Sequence, residues 1–320
     1  MKAPLALVAA SLLWAGNYVV GGLAVHAMDP LALTWFRWLL ATIPLLVIAH
    51  AVERPDWRAV LNEWPRLLLL SVLGVAGYTL FLYTALEFTT PLSASLINAA
   101  NPAVMVVLAA LLLRERIGWA GAAGLVLGLL GVLLVITDGR IGTAFSTRLN
   151  EGDLLMVGAI VVWSLYTIAG RALAAPPIAA TGVQAAMTAV LLTPFGLLTG
   201  SAWPARPATV WALLFIAVFP SVGAYALWNL AAKRVPAGRA GLFLNLITVF
   251  TVIISVAMGA RLTVPEIAGG VLVFAGVGLG STRLRRAPAL AAEGSSANDR
   301  AIPSAGVPTS ATAETAGSPE

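Results

Sequence analysis

Apolar runs of about twenty residues, each closed by polar, glycine or proline positions, recur ten times along this chain. The run Leu92–Leu113 carries no formally charged side chain, and the cluster Arg114-Glu115-Arg116 ends it. At ~1.5 Å of rise per residue, twenty-two such residues cross the ~30 Å hydrocarbon core of a bilayer as a helix. The same reasoning predicts spans at Pro4–Val25, Leu31–Ala51, Leu67–Leu86, Leu92–Leu113, Trp119–Thr137, Leu154–Ala174, Ile178–Thr199, Val210–Ala232, Ala237–Met258 and Ile267–Arg283. The first run is too long for a signal peptide and reads as an uncleaved helix. Connectors are short except at 53–66 and 138–152, and the latter divides the chain into two sets of five spans.

Composition sharpens the pattern. Hydrophobic residues make up 59% of the chain and charged ones 10%, against a soluble norm near ~25% charged. A mean hydropathy of +0.91 belongs to a membrane protein. The net charge of +5 rests on few charges placed between apolar runs, so it makes no case for nucleic acid as a partner. With no cysteine there is no disulfide and no thiolate metal site. No metal or other cofactor is implied. The partners implied are a small-molecule substrate and the lipid bilayer.

Basic residues orient the chain. With the N-terminus inside, Lys2, Arg54, Arg58, Arg66, Arg114, Arg116, Arg171, Lys233, Arg234, Arg239, Arg283, Arg285 and Arg286 fall on the inner side. Only Arg140, Arg148, Arg206 and Arg261 fall outside, so both termini are predicted to be cytoplasmic in a bacterial inner membrane. The tail after Arg286 is rich in Ala, Ser, Gly, Pro and Thr, a composition that predicts disorder over 288–320. Five spans per half force the second half to enter the membrane from the opposite side, an inverted-topology repeat. Weak internal likeness supports it. SLLWAGNYVVGGLA aligns with VVWSLYTIAGRALA, pairing Trp14 with Trp163, Asn17 with Tyr166, Tyr18 with Thr167 and Gly21 with Gly170. Pro30 to Arg37 aligns with Pro177 to Gln184, and RERIG at 114–118 with GARLT at 259–263.

These residues carry a resemblance. WAGN in the first span, the proline and arginine with six residues between them in the second, YTALEFTTPLSASL, and N-P followed by ALLLRER resemble the EamA-type repeat of the drug/metabolite transporter superfamily. WSLYTIAGRAL and GARLT carry it in the second half. The resemblance implies an all-α polytopic membrane protein of ten transmembrane helices, two inverted five-helix repeats around a central cavity, with the fifth and tenth helices outside it. The repeats would cover 1–137 and 153–286, joined by 138–152 and followed by a tail at 287–320. The second half departs from the pattern: it has Ile247 or Thr248 where Pro102 stands and Ala260 where Glu115 stands.

Candidate substrate-binding residues follow from position. Arg37 is the one charge well inside a span; it either reaches water at the outer interface, with Trp35 and Trp38 as interfacial neighbours, or faces a polar interior where it would suit a carboxylate or phosphate. Trp14, Asn17, Tyr18 and Gly21 share a helical face, as do Trp163, Tyr166, Thr167 and Gly170. Each stripe lines a shared cavity or packs helix on helix. Asn98 and Asn101 lie three residues apart in the fourth span and are echoed by Asn245 and Thr248. Their amides would meet a polar substrate, water or a neighbouring helix. Tyr78, Tyr83, Tyr225, Trp228 and Asn229 join them, and Gln184 enters as the counterpart of Arg37. Glycine faces on the fifth and tenth spans mark close helix contact, within the chain or in a homodimer.

No Asp or Glu lies near the middle of any span, so facilitated transport or exchange is expected over obligatory proton coupling. Motifs of membrane hydrolases are missing, and no enzyme is expected. The leading expectation is an exporter of small polar metabolites, with amino acids as the cargo the resemblance implies. A non-transporting receptor or scaffold, and a flippase for lipids or lipid-linked sugars, are the alternatives.

Overall fold

In the computed structural model, residues 3–113, 118–140, 150–232, 234 and 237–281 are described, and every regular element among them is helical. The first half opens with α1 (Ala3–Ala24), α2 (Pro30–Val52) and a short α3 (Trp57–Asn62). Next come α4 (Trp64–Leu70), a π-helical segment Ser71–Gly77 and α5 (Tyr78–Phe88), which together form one rod, Trp64–Phe88. α6 (Pro91–Asn98), α7 (Asn101–Leu113) and α8 (Trp119–Ile136) complete it. The second half holds α9 (Glu151–Gly170) and α10 (Pro177–Leu198). A second rod follows, made of α11 (Pro207–Ile216), a π segment Ala217–Gly223 and α12 (Ala224–Ala232). α13 (Ala237–Ala257) and α14 (Val264–Ser281) end the described chain. Among the described residues, seven helices are long and apolar enough to cross a membrane, and three shorter apolar helices lie within α8, α13 and α14. The cluster 114–116 and the tail beyond Ser281 lie outside the described residues.

The polar positions between spans work as caps. Asp29 accepts from the Ala32 amide at 2.9 Å, Thr90 from Ser93 at 3.1 Å and Asn150 from Gly152 at 2.7 Å. Each satisfies an amide left open at a helix start, a contribution of about 1 kcal/mol apiece.

Three features depart from the sequence expectation. The fourth span, Pro91–Leu112, is not one unbroken α-helix: a turn at Ala99–Ala100 separates its two segments, α6 and α7. Pro102 is the cause, because its ring lacks an amide and crowds the carbonyl of Asn98 four residues back. The third and eighth spans each widen into a π segment. In the second, Pro220 leaves the Ile216 carbonyl without its amide, and the Ser221 hydroxyl donates to it at 2.7 Å. In the first, a side-chain carbon at Gly77 would come within 2.6 Å of the Val72 carbonyl, so the wide turn requires glycine there. Lastly, the 53–66 connector carries α3, started by Asp56, which accepts from the Arg58 and Ala59 amides at 2.9 and 3.4 Å. α2 and α10 continue as helices through Pro44 and Pro194.

The connectors sort to two ends of the bundle. At one end, His26, the Glu87–Thr90 turn, Asp138, Asn150 and Glu266 border one hollow of about 450 Å³. At the other end, Glu53 accepts from the Ile178 and Ala179 amides, and Arg66 donates to the Ala172 carbonyl. α1 therefore finishes where α9 begins. α2 packs on α10 and α8 on α14; α1 packs on α13 and α12, and α9 on α7 and α5. Glycines set the α8–α14 distance: a methyl at Gly131 would meet the Gly269 carbonyl at 2.6 Å, and one at Gly276 the Gly124 carbonyl at 2.5 Å. The glycine faces of the fifth and tenth spans are thus used against each other within the chain.

Candidate functional site

Arg37 sits at the junction of the two halves. It is 2% exposed, so its guanidinium is enclosed by the chain rather than reaching its surface. α2 carries it between α1, α5 and the second π segment. Nε donates to Ser221 Oγ at 2.7 Å, and Nη1 donates to Asn17 Oδ1 at 3.3 Å and to the Tyr83 hydroxyl. Tyr83 in turn donates to Asn17 Oδ1 at 2.8 Å. The guanidinium carbon lies 4.7 Å from the Trp38 ring centre and 5.6 Å from that of Tyr83. Gly21 makes room for the Tyr83 ring, which a side-chain carbon there would meet at 2.9 Å.

All of Arg37's partners are neutral. A guanidinium has five N–H groups, and the two on Nη2 make no hydrogen bond among the described residues. No carboxylate pairs with it among them either. A buried cation held only by dipoles sits in a site that favours an anion, because a pairing charge would recover part of the desolvation cost.

Two aromatic groups flank this centre. On one side Trp14 meets Tyr225 edge-on at 5.5 Å and Trp228 at 5.5 Å, and its indole donates to the Pro220 carbonyl at 3.2 Å. Tyr225 also meets Trp38 at 5.8 Å. On the other side Tyr78 lies 4.9 Å from Trp163, which lies 5.1 Å from Tyr166. The Tyr18 and Tyr78 hydroxyls bond at 3.0 Å, joining this group to α1 next to Asn17. Trp14, Tyr78, Trp163, Tyr166 and Trp228 each keep part of their surface accessible. Tyr166 donates to Gln184 Oε1 at 3.4 Å, and Gln184 is buried on α10.

The remaining candidates lie apart from the Arg37 centre. Asn101 accepts from Ser164 Oγ at 3.1 Å, a bond between α7 and α9. Asn229 donates to Thr181 at 3.4 Å, between α12 and α10. Asn98 ends α6 and Asn245 lies on α13, both half-buried; the turn at Ala99–Ala100 removes the continuous face expected for Asn98 and Asn101. Two residues at the centre, Ser221 and Trp38, and Trp35 against α10 were not placed by the sequence reading. Ser221 follows a helix-breaking proline, which was its only signal. Trp38, read as an interfacial neighbour, is fully buried and donates to Thr79 at 3.3 Å. Trp35 is buried as well, donating to Thr193 at 3.2 Å.

With this geometry in hand, the likeness to known proteins is informative. The EamA-like transporter family matches residues 1–137 and 150–282. An uncharacterized transporter of Bacillus subtilis, YyaM, is 31% identical over 258 residues, 79% of this chain and 85% of that protein. The aromatic amino acid exporter YddG of Ancylobacter novellus is 27% identical over 233 residues, 70% of this chain and 77% of that one. A solved crystal structure at 23% identity superimposes with a TM-score of 0.64, covering 90% of this chain and all of its own, which shows a common fold.

Proposed function

The chain belongs to the EamA-like transporter family, and on that premise we propose that it exports small polar metabolites with an anionic group, by alternating access between two inverted halves. It is a multi-pass membrane transporter; cargo, direction and mechanism are the proposal. The observation that carries it is Arg37: a buried guanidinium with no carboxylate and no Nη2 partner among the described residues, held by Asn17 and Tyr83 of one half and Ser221 of the other. A substrate carboxylate would take the open N–H groups, and the Tyr78–Trp163–Tyr166 faces would receive the organic part or an ammonium. Amino acids and related compounds fit that pairing, and the exporter name of one relative points the same way.

We read ten spans, a reading supported by the seven long apolar helices together with the three shorter ones among the described residues. The opposite running of α1 and α9, the match of the family to each half, and the mirrored packing of α1 and α9 support the inverted repeat. Because Arg37 contacts both halves, loading it with an anion would weaken its grip on Ser221 and favour the halves separating.

The chain has no cysteine, so single cysteines can be added without background. Ala27→Cys and Ala205→Cys are expected to react with an impermeant maleimide from outside the cell, and Asn62→Cys and Ala172→Cys only after lysis. Outside labelling at 172 would refute the inverted threading. Purified protein in liposomes should exchange amino acids, with Trp163→Ala slowed; a flux in Trp163→Ala and Arg37→Ala equal to that of the parent would remove both from the site.

A further inference from the structure

A hollow of about 600 Å³ opens on the flank of the bundle, away from Arg37. Its walls are Leu46 of α2, Trp57 and Leu61 of α3, and Val183, Met187 and Leu191 of α10. Virtually all of its surface is apolar. From Val183 to Leu191 it follows α10 for ~12 Å at helical rise, starting near the inner end, where Glu53 caps α10. Val190, on its rim, is 74% exposed, so the groove opens to the side. In a chain that spans a membrane, that side is hydrocarbon.

The mouth of the groove is charged in an unequal way. The 53–66 connector has three acids and three arginines. Its acids are occupied: Glu53 takes the Ile178 and Ala179 amides, Asp56 the Arg58 and Ala59 amides, and Glu63 both Arg66 and the Ala174 amide. Arg54 and Arg58 are exposed, and neither side chain has a hydrogen bond or ion pair among the described residues. Arg58 adjoins Trp57, whose indole lines the groove and donates to His50 Nδ1 at 3.5 Å. The connector that supplies the Trp57 and Leu61 walls of the apolar slot thus also carries two exposed guanidiniums without a partner among the described residues. The matching connector of the second half, 199–206, forms no helix. α3 is therefore an addition to the repeat, on one side only.

We propose that this groove binds an anionic phospholipid of the inner leaflet, with an acyl chain between α3 and α10 and the phosphate against Arg54 and Arg58. The apolar walls take the chain without any polar group to desolvate. The two arginines add the attraction that basic residues at a cytoplasmic interface have for anionic lipid. α3 lies along the interface with Trp57 and Leu61 in the groove and the basic residues outside, the usual distribution for such a helix.

The test is native mass spectrometry of the purified full-length protein with phosphatidylglycerol or phosphatidylcholine of equal chain length. The parent is expected to retain one phosphatidylglycerol preferentially. Arg54→Gln/Arg58→Gln should bind both lipids alike, with affinity for phosphatidylglycerol down about fivefold per arginine removed. Ala186→Phe, inside the groove, should lose both; Val190→Trp, on the exposed rim, tests the same blockage without touching the packed interior. Equal retention of the two lipids by the parent, or undiminished phosphatidylglycerol binding in both groove-blocked variants, would overturn the proposal. Neither readout requires transport, so a different cargo at Arg37 would leave the result unchanged.

Discussion

Arg37 and Gln184 occupy matching positions, each seven residues after the proline that opens its helix. Both are 2% exposed, and both bond to the aligned positions of α1 and α9, Asn17 and Tyr166. One is a cation with N–H groups to spare; the other is a neutral amide. The two positions match while their chemistry does not. Under the proposed function, a site built this way would give its ligand one orientation, the anionic end toward the first half.

The sharpest way to break the comparison is to erase it. Arg37→Gln makes the two positions alike and should lower efflux of an anionic substrate by about 30-fold or more, since a lost charge pair in a buried site costs ~2–5 kcal/mol. Thermal stability should hold or rise, because a buried cation with only neutral partners is removed. Flux from reconstituted liposomes and a melting curve check both.

The two π segments supply the next contrast. A side-chain carbon at Gly74, in the first, would fall inside the Tyr166 ring, whereas one at Gly223, in the second, would meet the tip of Leu13 at 3.3 Å and the Val218 carbonyl at 3.5 Å. Gly74→Ala should destabilise by about 1–3 kcal/mol through overpacking, and Gly223→Ala by much less. Thermal unfolding in detergent separates them; equal melting temperatures would show that the first segment adapts as freely as the second.

Smaller effects come from the aromatic flanks. Trp163→Ala loses stacking on both Tyr78 and Tyr166, and a stacked pair is worth ~0.5–1.5 kcal/mol, so efflux should drop about tenfold. Trp14→Ala, whose ring is tied to the Pro220 carbonyl, should shift stability more than substrate preference. The smallest expected effect is that of a pH gradient. With no carboxylate near the middle of any span, exchange should run at the same rate with or without one. A flux that vanishes when the gradient is collapsed would contradict this.

Much of the fold was legible because its signals are long. Twenty-residue apolar runs place the long helices directly from sequence, whereas the Asp29, Thr90 and Asn150 caps that start three of them emerge only in the structure. The breaks were not. Pro102 was noted as a repeat feature, yet whether a proline splits a span or is absorbed depends on its surroundings: α2 and α10 absorb Pro44 and Pro194, the eighth span widens at Pro220, and the fourth divides. Nothing in SVLGVAG identifies a π segment without the Tyr166 ring that fills the place of a side chain at Gly74. At the site, Arg37, Asn17 and Tyr83 were chosen as polar groups in apolar surroundings, and they meet. Trp38 was misplaced because tryptophans fit both the interface and the core, and only contact with Thr79 and Tyr225 decides. Asn98 and Asn101 were chosen on a helical period that ends between them.

Pairing at Arg37 can be measured directly. Purified protein in liposomes would be offered an amino acid and its uncharged carboxamide in competition for exchange. The parent is predicted to prefer the carboxylate by tenfold or more, the factor that ~1.4 kcal/mol corresponds to, and Arg37→Gln to show no preference. An Arg37→Gln protein that still selects the carboxylate to the same degree would place anion recognition elsewhere and leave Arg37 a structural link between the halves.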